Sequence, residues 1–66
     1  MTADHMPMMP GETYAAAVVR ATAMAVQRPV VITARSPVTP YMPVATVFVG
    51  GTVVANATAK ALCGLE

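Results

Sequence analysis

The stretch from Pro43 to Gly64, PVATVFVGGTVVANATAKALCG, limits what this chain can fold into more than any other part of it. As a helix it has a start and a stop in the right places. Pro43 suits the first helical position, where its missing N–H costs nothing, and Gly64 suits the left-handed residue that ends a helix. The segment Val44 to Cys63 would then run about 30 Å at 1.5 Å per residue, the thickness of a hydrocarbon core. No charge occurs from Ser36 to Ala59, and Lys60 stands close enough to the end to snorkel its ammonium into headgroups. Residues 44–63 are therefore expected to form one membrane-spanning helix.

On that helix Gly51, Ala55 and Ala59 fall in one row, with Asn56 beside them. Small residues at this spacing let a second helix approach closely, and Asn56 can donate an interhelical hydrogen bond. These four are the helix-packing contact candidates. Arg20, Arg28 and Arg35 against Lys60 alone place the N-terminal half on the cytoplasmic, matrix or stromal side.

The same residues also read as a hairpin. VATVFV and TVVANA flank Gly50-Gly51, and glycine supplies the positive φ that tight hairpin turns require. Valine and threonine prefer strands. Val47, Phe48 and Val49 run consecutively, as do Val53 and Val54, so both faces of such a hairpin need cover.

Composition favours the helix. A chain of 66 residues forms one small unit, and a domain of that size buries only about 60% of its unfolded surface. A single cysteine forbids an internal disulfide, and charged residues make up 11% of the chain, against about 25% in an average soluble domain. A bilayer or partner subunits should therefore hide much of the surface. The net charge of +1, without a basic run or aromatic ladder, argues against nucleic acid.

Residues 1–11, MTADHMPMMPG, read as an extended Met/Pro-rich arm. They lack the basic-then-apolar order of a secretory signal. His5, Met6, Met8 and Met9 offer imidazole and thioether donors of the kind that suits Cu(I), but the plainer reading is an apolar arm packed against a neighbour, with methionine filling irregular gaps, and no cofactor is expected. Residues 12–28 read as a short amphipathic helix, with Tyr14, Ala17, Val18, Ala21 and Ala25 on its apolar side and Glu12, Ala16, Arg20, Ala23 and Gln27 on its polar one. Arg28-Pro29 ends it. Residues 29–43 read as an extended connector. It opens with the β-type run PVVITA, and prolines at 37, 40 and 43 match the three-residue turn of polyproline II.

PVVIT at Pro29 to Thr33 and PVA at Pro43 to Ala45 resemble the strand-turn-strand of Phd/YefM-type antitoxins. The resemblance covers those two segments only. The Pro-rich insertion between them departs from the family pattern, as does the lack of an acidic tail of the kind that wraps a toxin.

Chemistry-bearing residues are sparse. One histidine, one cysteine and three acids lie towards the two ends, too few to build a nucleophile, base and orienter together. Cys63 reads as a small apolar residue. Gly50-Gly51 lacks the further glycines and the lysine of a phosphate loop.

The expected fold is therefore mostly α: a helix over about 12–27, an extended connector and a membrane helix over about 44–63. The expected role is a non-catalytic accessory subunit of a larger membrane complex, touching other protein subunits and membrane lipid. The alternative is a soluble α+β interaction module with a Gly50-Gly51 hairpin, working in a homo-oligomer, capsid or antitoxin-like complex.

Overall fold

A computed structural model describes residues 3–65. Four strands form one sheet with two helices: β1 (Asp4–Pro7), α1 (Tyr14–Met24), β2 (Val30–Ala34), β3 (Met42–Val47), β4 (Val53–Ala55) and α2 (Ala57–Leu62). The sheet order is β1-β2-β3-β4, with β1 parallel to β2 and the other neighbours antiparallel. The connection through α1 is what makes the first pair parallel, since a parallel pair needs a crossover.

The mostly α expectation is thereby corrected to α+β, and the membrane helix with it. Val44 to Cys63 divides into the end of β3, a turn, β4 and α2, and no helix among the described residues is long and apolar enough to cross a membrane. The membrane localisation and the transmembrane role drawn from that span fall with it. The physical reason lies in the middle of the stretch. Phe48 N–H donates to the Thr52 carbonyl at 2.7 Å and Gly51 N–H to the Phe48 carbonyl at 3.0 Å, so Val49, Gly50 and Gly51 form the connection. Gly50 has φ +100° and Gly51 φ +94°, values that L side chains resist and glycine adopts freely. On either side β-branched residues favour the pleated geometry.

The connector is not extended throughout. Ser36 Oγ accepts from the N–H groups of Val38 and Thr39 at 3.2 and 2.9 Å. This hydroxyl-capped turn lets β3 fold back along β2, and it replaces the polyproline spacer with a hairpin loop. One irregularity marks that pairing: Ile32 faces Ala45 but Thr33 faces Pro43. Val44 is the extra residue, and both Val44 and Ala45 are buried. A bulge leaves its extra residue out of the pairing and bends the strand; Ala45 belongs to the core beneath α1, and Val44 is buried outside that cluster.

The core follows from strand alternation and helix periodicity. Ala17, Ala21 and Ala25 recur every four residues along one side of α1, and all three are buried with Met6, Val30, Ile32, Ala45 and Val47. Alanine at the contact brings the helix axis close to the sheet, so valine and isoleucine supply the volume from the strands. Thr13 caps α1, its hydroxyl accepting from Ala16 N–H at 3.2 Å, so the helix starts two residues later than the polar strip suggests. Asn56 caps α2, its side chain accepting from Ala59 N–H at 3.1 Å. Gly64, at φ +69°, closes α2, with Leu65 N–H donating to the Lys60 carbonyl and Gly64 N–H to that of Ala61. The stop signal read from the sequence works, on a helix of six residues.

Glu12 ties the β1–α1 loop together. Its carboxylate accepts from Arg20 Nη2 at 2.6 Å and Nε at 3.0 Å, and from Met9 N–H at 3.0 Å. Arg20 also donates to the Pro7 carbonyl at 3.2 Å, joining α1 to the edge strand. The Arg20 hydrogen bond first, and the Met9 N–H second, hold the Glu12 carboxyl below its ordinary value of 4.5. Because the folded value is the lower one, the stabilisation is present above about pH 4.5 and is lost as pH falls through the folded value. The thermal midpoint should therefore be level from neutral pH to about pH 5 and decline below that. Glu12→Gln should lower the midpoint at neutral pH and flatten the acid decline. A variant with the wild-type pH profile would remove Glu12 from this role.

Candidate interaction surface

The main core packs on one face of the sheet, while on the other Thr33 is buried and His5 and Val54 are exposed. Met6, Ile32, Ala45 and Ala55 lie in one cross-strand row, and Val30, Val47 and Val53 in another. The members of these rows on β1, β2 and β3 belong to the core beneath α1. The second helix packs against β3 and reaches the start of α1, where the Lys60 ammonium lies 4.3 Å from the centre of the Tyr14 ring. A cation over an aromatic face is favourable, which helps dock a helix too short to hold itself. Between these rows runs a third, His5, Val31, Thr46 and Val54, one residue from each strand. Alternation puts it on the opposite face. Neither end of it is buried, for His5 and Val54 are both exposed.

The two edges of the sheet differ in chemistry. β1 carries Asp4, paired with Arg28 at 3.5 Å, and Pro7, which has no N–H to offer. Charge and proline are the ordinary protections of an edge. β4 has neither. Val53, Val54 and Ala55 are all exposed, and the adjoining turn exposes Phe48 and Val49, 41% and 50% respectively. Backbone groups on this edge are unequal too. Phe48 bonds Thr52 and Asn56 N–H bonds the Val44 carbonyl, so Thr46 and Val54, midway in the same register, form the hydrogen-bonded pair. The N–H and C=O groups of Val53 and Ala55 then point away from β3, to the open side.

Val19 and Val26 are also exposed, but they belong to α1 and its C-terminal end and adjoin no open strand. Isolated apolar side chains at a surface are ordinary.

The residues expected to line a helix contact are dispersed. Gly51 is in the turn, Ala55 ends β4, Asn56 caps α2 and Ala59 is buried inside α2. The four-residue row they shared belonged to a continuous helix. Asn56 and Ala59 do meet, as cap and capped residue, and Asn56 Nδ2 also donates to the Pro43 carbonyl at 3.4 Å. Phe48, Val53 and Val54 were not singled out as contact residues. The signal that finds them is the consecutive apolar run on both sides of two glycines, which leaves one face of the hairpin without cover.

The sulfur-rich arm is split by the strand it forms. Met6 is buried in the core while His5, its neighbour, lies on the opposite face, so the two cannot share an ion. Among the described residues no three of His, Cys, Asp and Glu gather at metal-binding distance. Met8, Met9 and Cys63 border an open depression of about 590 Å³ with Glu12, Arg35 and Tyr41. Its one carboxylate is engaged by Arg20, and His5 does not line it.

Comparison with protein-family profiles, curated proteins and solved structures gives no match. The likeness to antitoxin strands rests on PVVIT and PVA alone, two segments that here become neighbouring antiparallel strands.

Proposed function

We propose that this chain is a small non-catalytic interaction module, and that it joins other protein subunits through the β4 edge and the apolar turn beside it. The observation that carries the proposal is the contrast between the edges: one bears a charge and a proline, and the other bears Val53, Val54 and Ala55 with outward backbone groups unpaired. A solvent-facing strand of that kind is a template for pairing. The absence of charge from Ser36 to Ala59 suits a partner surface that is likewise apolar, and gives nucleic acid nothing to neutralise it.

A double variant tests this reading. Phe48→Ser with Val54→Lys changes two exposed side chains, so the fold should lose no more than about 1 kcal/mol. In gently lysed source cells the wild-type chain should migrate in a particle well above its 6.8 kDa mass, and the variant at that mass with unchanged far-UV circular dichroism. Co-migration of variant and wild type in the larger particle would show that the contact lies elsewhere.

A further inference from the structure

We infer that the occupant of the β4 edge is the β4 strand of a second copy of this chain, paired antiparallel about a two-fold axis that passes beside Val54. This inference rests on the interaction reading above and names the partner.

The backbone pattern supports it. The outward groups of β4 are one N–H and one C=O at Val53, and the same at Ala55. Rotation by a half turn about an axis perpendicular to the sheet at Val54 brings Val53 opposite Ala55 of the second copy and Ala55 opposite its Val53. Each N–H then faces a carbonyl, giving four hydrogen bonds with no group left over. The outward backbone groups form a self-complementary set, as a two-fold interface requires.

Charge agrees. No acidic or basic residue lies from Ser36 to Ala59, so the paired strands themselves bring no like charges together, whereas pairing at β1 would approach Asp4 and Arg28 to their own equivalents. Edge strands are ordinarily kept apart by inward or flanking charge, and this one is not. The axis also preserves faces. Both copies of α1 fall on one side of an eight-stranded sheet, and the two His5–Val31–Thr46–Val54 rows join end to end on the other. Val54 meets Val54 there as a non-hydrogen-bonded pair, the closer of the two kinds.

The test is register-specific. In the full chain carrying Cys63→Ser, a Val54→Cys substitution puts two sulfurs on α-carbons about 4.5 Å apart, within disulfide range. A Val53→Cys substitution in the same background puts them about 7–8 Å apart on a diagonal, outside it. Mild oxidation should therefore yield a covalent dimer of the first and not of the second. In parallel, light scattering of the purified wild-type chain from about 10 μM to about 1 mM should show its mass doubling. Ala55→Pro removes two of the four bonds but none to β3, so it should weaken the dimer about tenfold or more. Its circular dichroism reports whether the monomer fold survives, and the cysteine pair tests the register independently if it does not.

A chain that stays at single mass throughout and does not cross-link at position 54 overturns the inference. So does a dimer that links at 53 in preference to 54. If either result is found while Phe48→Ser with Val54→Lys still releases the chain from its native particle, the edge binds a different protein and the interaction reading stands. If the double variant also stays in the particle, both fall.

Discussion

The Gly50→Val, Gly51→Val double variant is expected to lose its cooperative unfolding transition. Both glycines hold positive φ, +100° and +94°, and an L residue in such a conformation costs about 1–3 kcal/mol at each position. A 66-residue chain has about 3–10 kcal/mol of stability to lose. Two such costs together take away most of it. The cost is one of backbone conformation, because a Cβ added at either position meets no atom within 4 Å. Replacement by asparagine, which tolerates left-handed geometry, should accordingly cost much less than valine. Urea titration followed by circular dichroism makes the comparison. A Val-Val variant with a wild-type midpoint would contradict the hairpin, since valine at both places is acceptable only if residues 44–63 form a continuous helix.

The second large effect is expected at Ile32. It is completely buried at the centre of the sheet, opposite Met6 on one side and Ala45 on the other. Ile32→Ala should cost about 2–5 kcal/mol, and the surroundings favour the upper half of that range. Ala17 and Ala21 of α1 and its C-cap Ala25, in the same cluster, have no flexible side chains to lean into the cavity. Val31→Ala makes a matched control, since Val31 lies on the opposite face and is only half-buried. It should cost about 1 kcal/mol or less. Equal losses at 31 and 32 would mean that the sheet is equally covered on both faces or that its register is wrong.

Much of the local structure was legible before any coordinates. The alanine side of residues 12–28 is the buried side of α1, PVVITA contains β2, and Gly64 ends a helix. Even the exposed hairpin was implicit: consecutive apolar residues around Gly50-Gly51 demand cover on two faces, and Val53 and Val54 are left exposed. What misled was the length of the apolar, uncharged stretch. Twenty residues of this kind match a bilayer in extent, but hydropathy counts composition without regard to where the turn falls. Two adjacent glycines and eight β-branched residues between Val44 and Cys63 oppose a helix in water, and that opposition outweighs the match in length once a sheet is available.

The apolar periodicity of α1 and the positions of the turn and stop glycines were determined by the sequence alone, because each acts over four residues or fewer along the chain. The tertiary structure alone decided that DHMP pairs with β2, that Asn56 begins a helix and does not line one, and that the β4 edge stays open. Those outcomes depend on contacts between residues far apart in sequence. A four-residue strand carries no pattern of its own, and whether an apolar segment meets lipid, a second copy or its own core depends on what the rest of the chain can place against it.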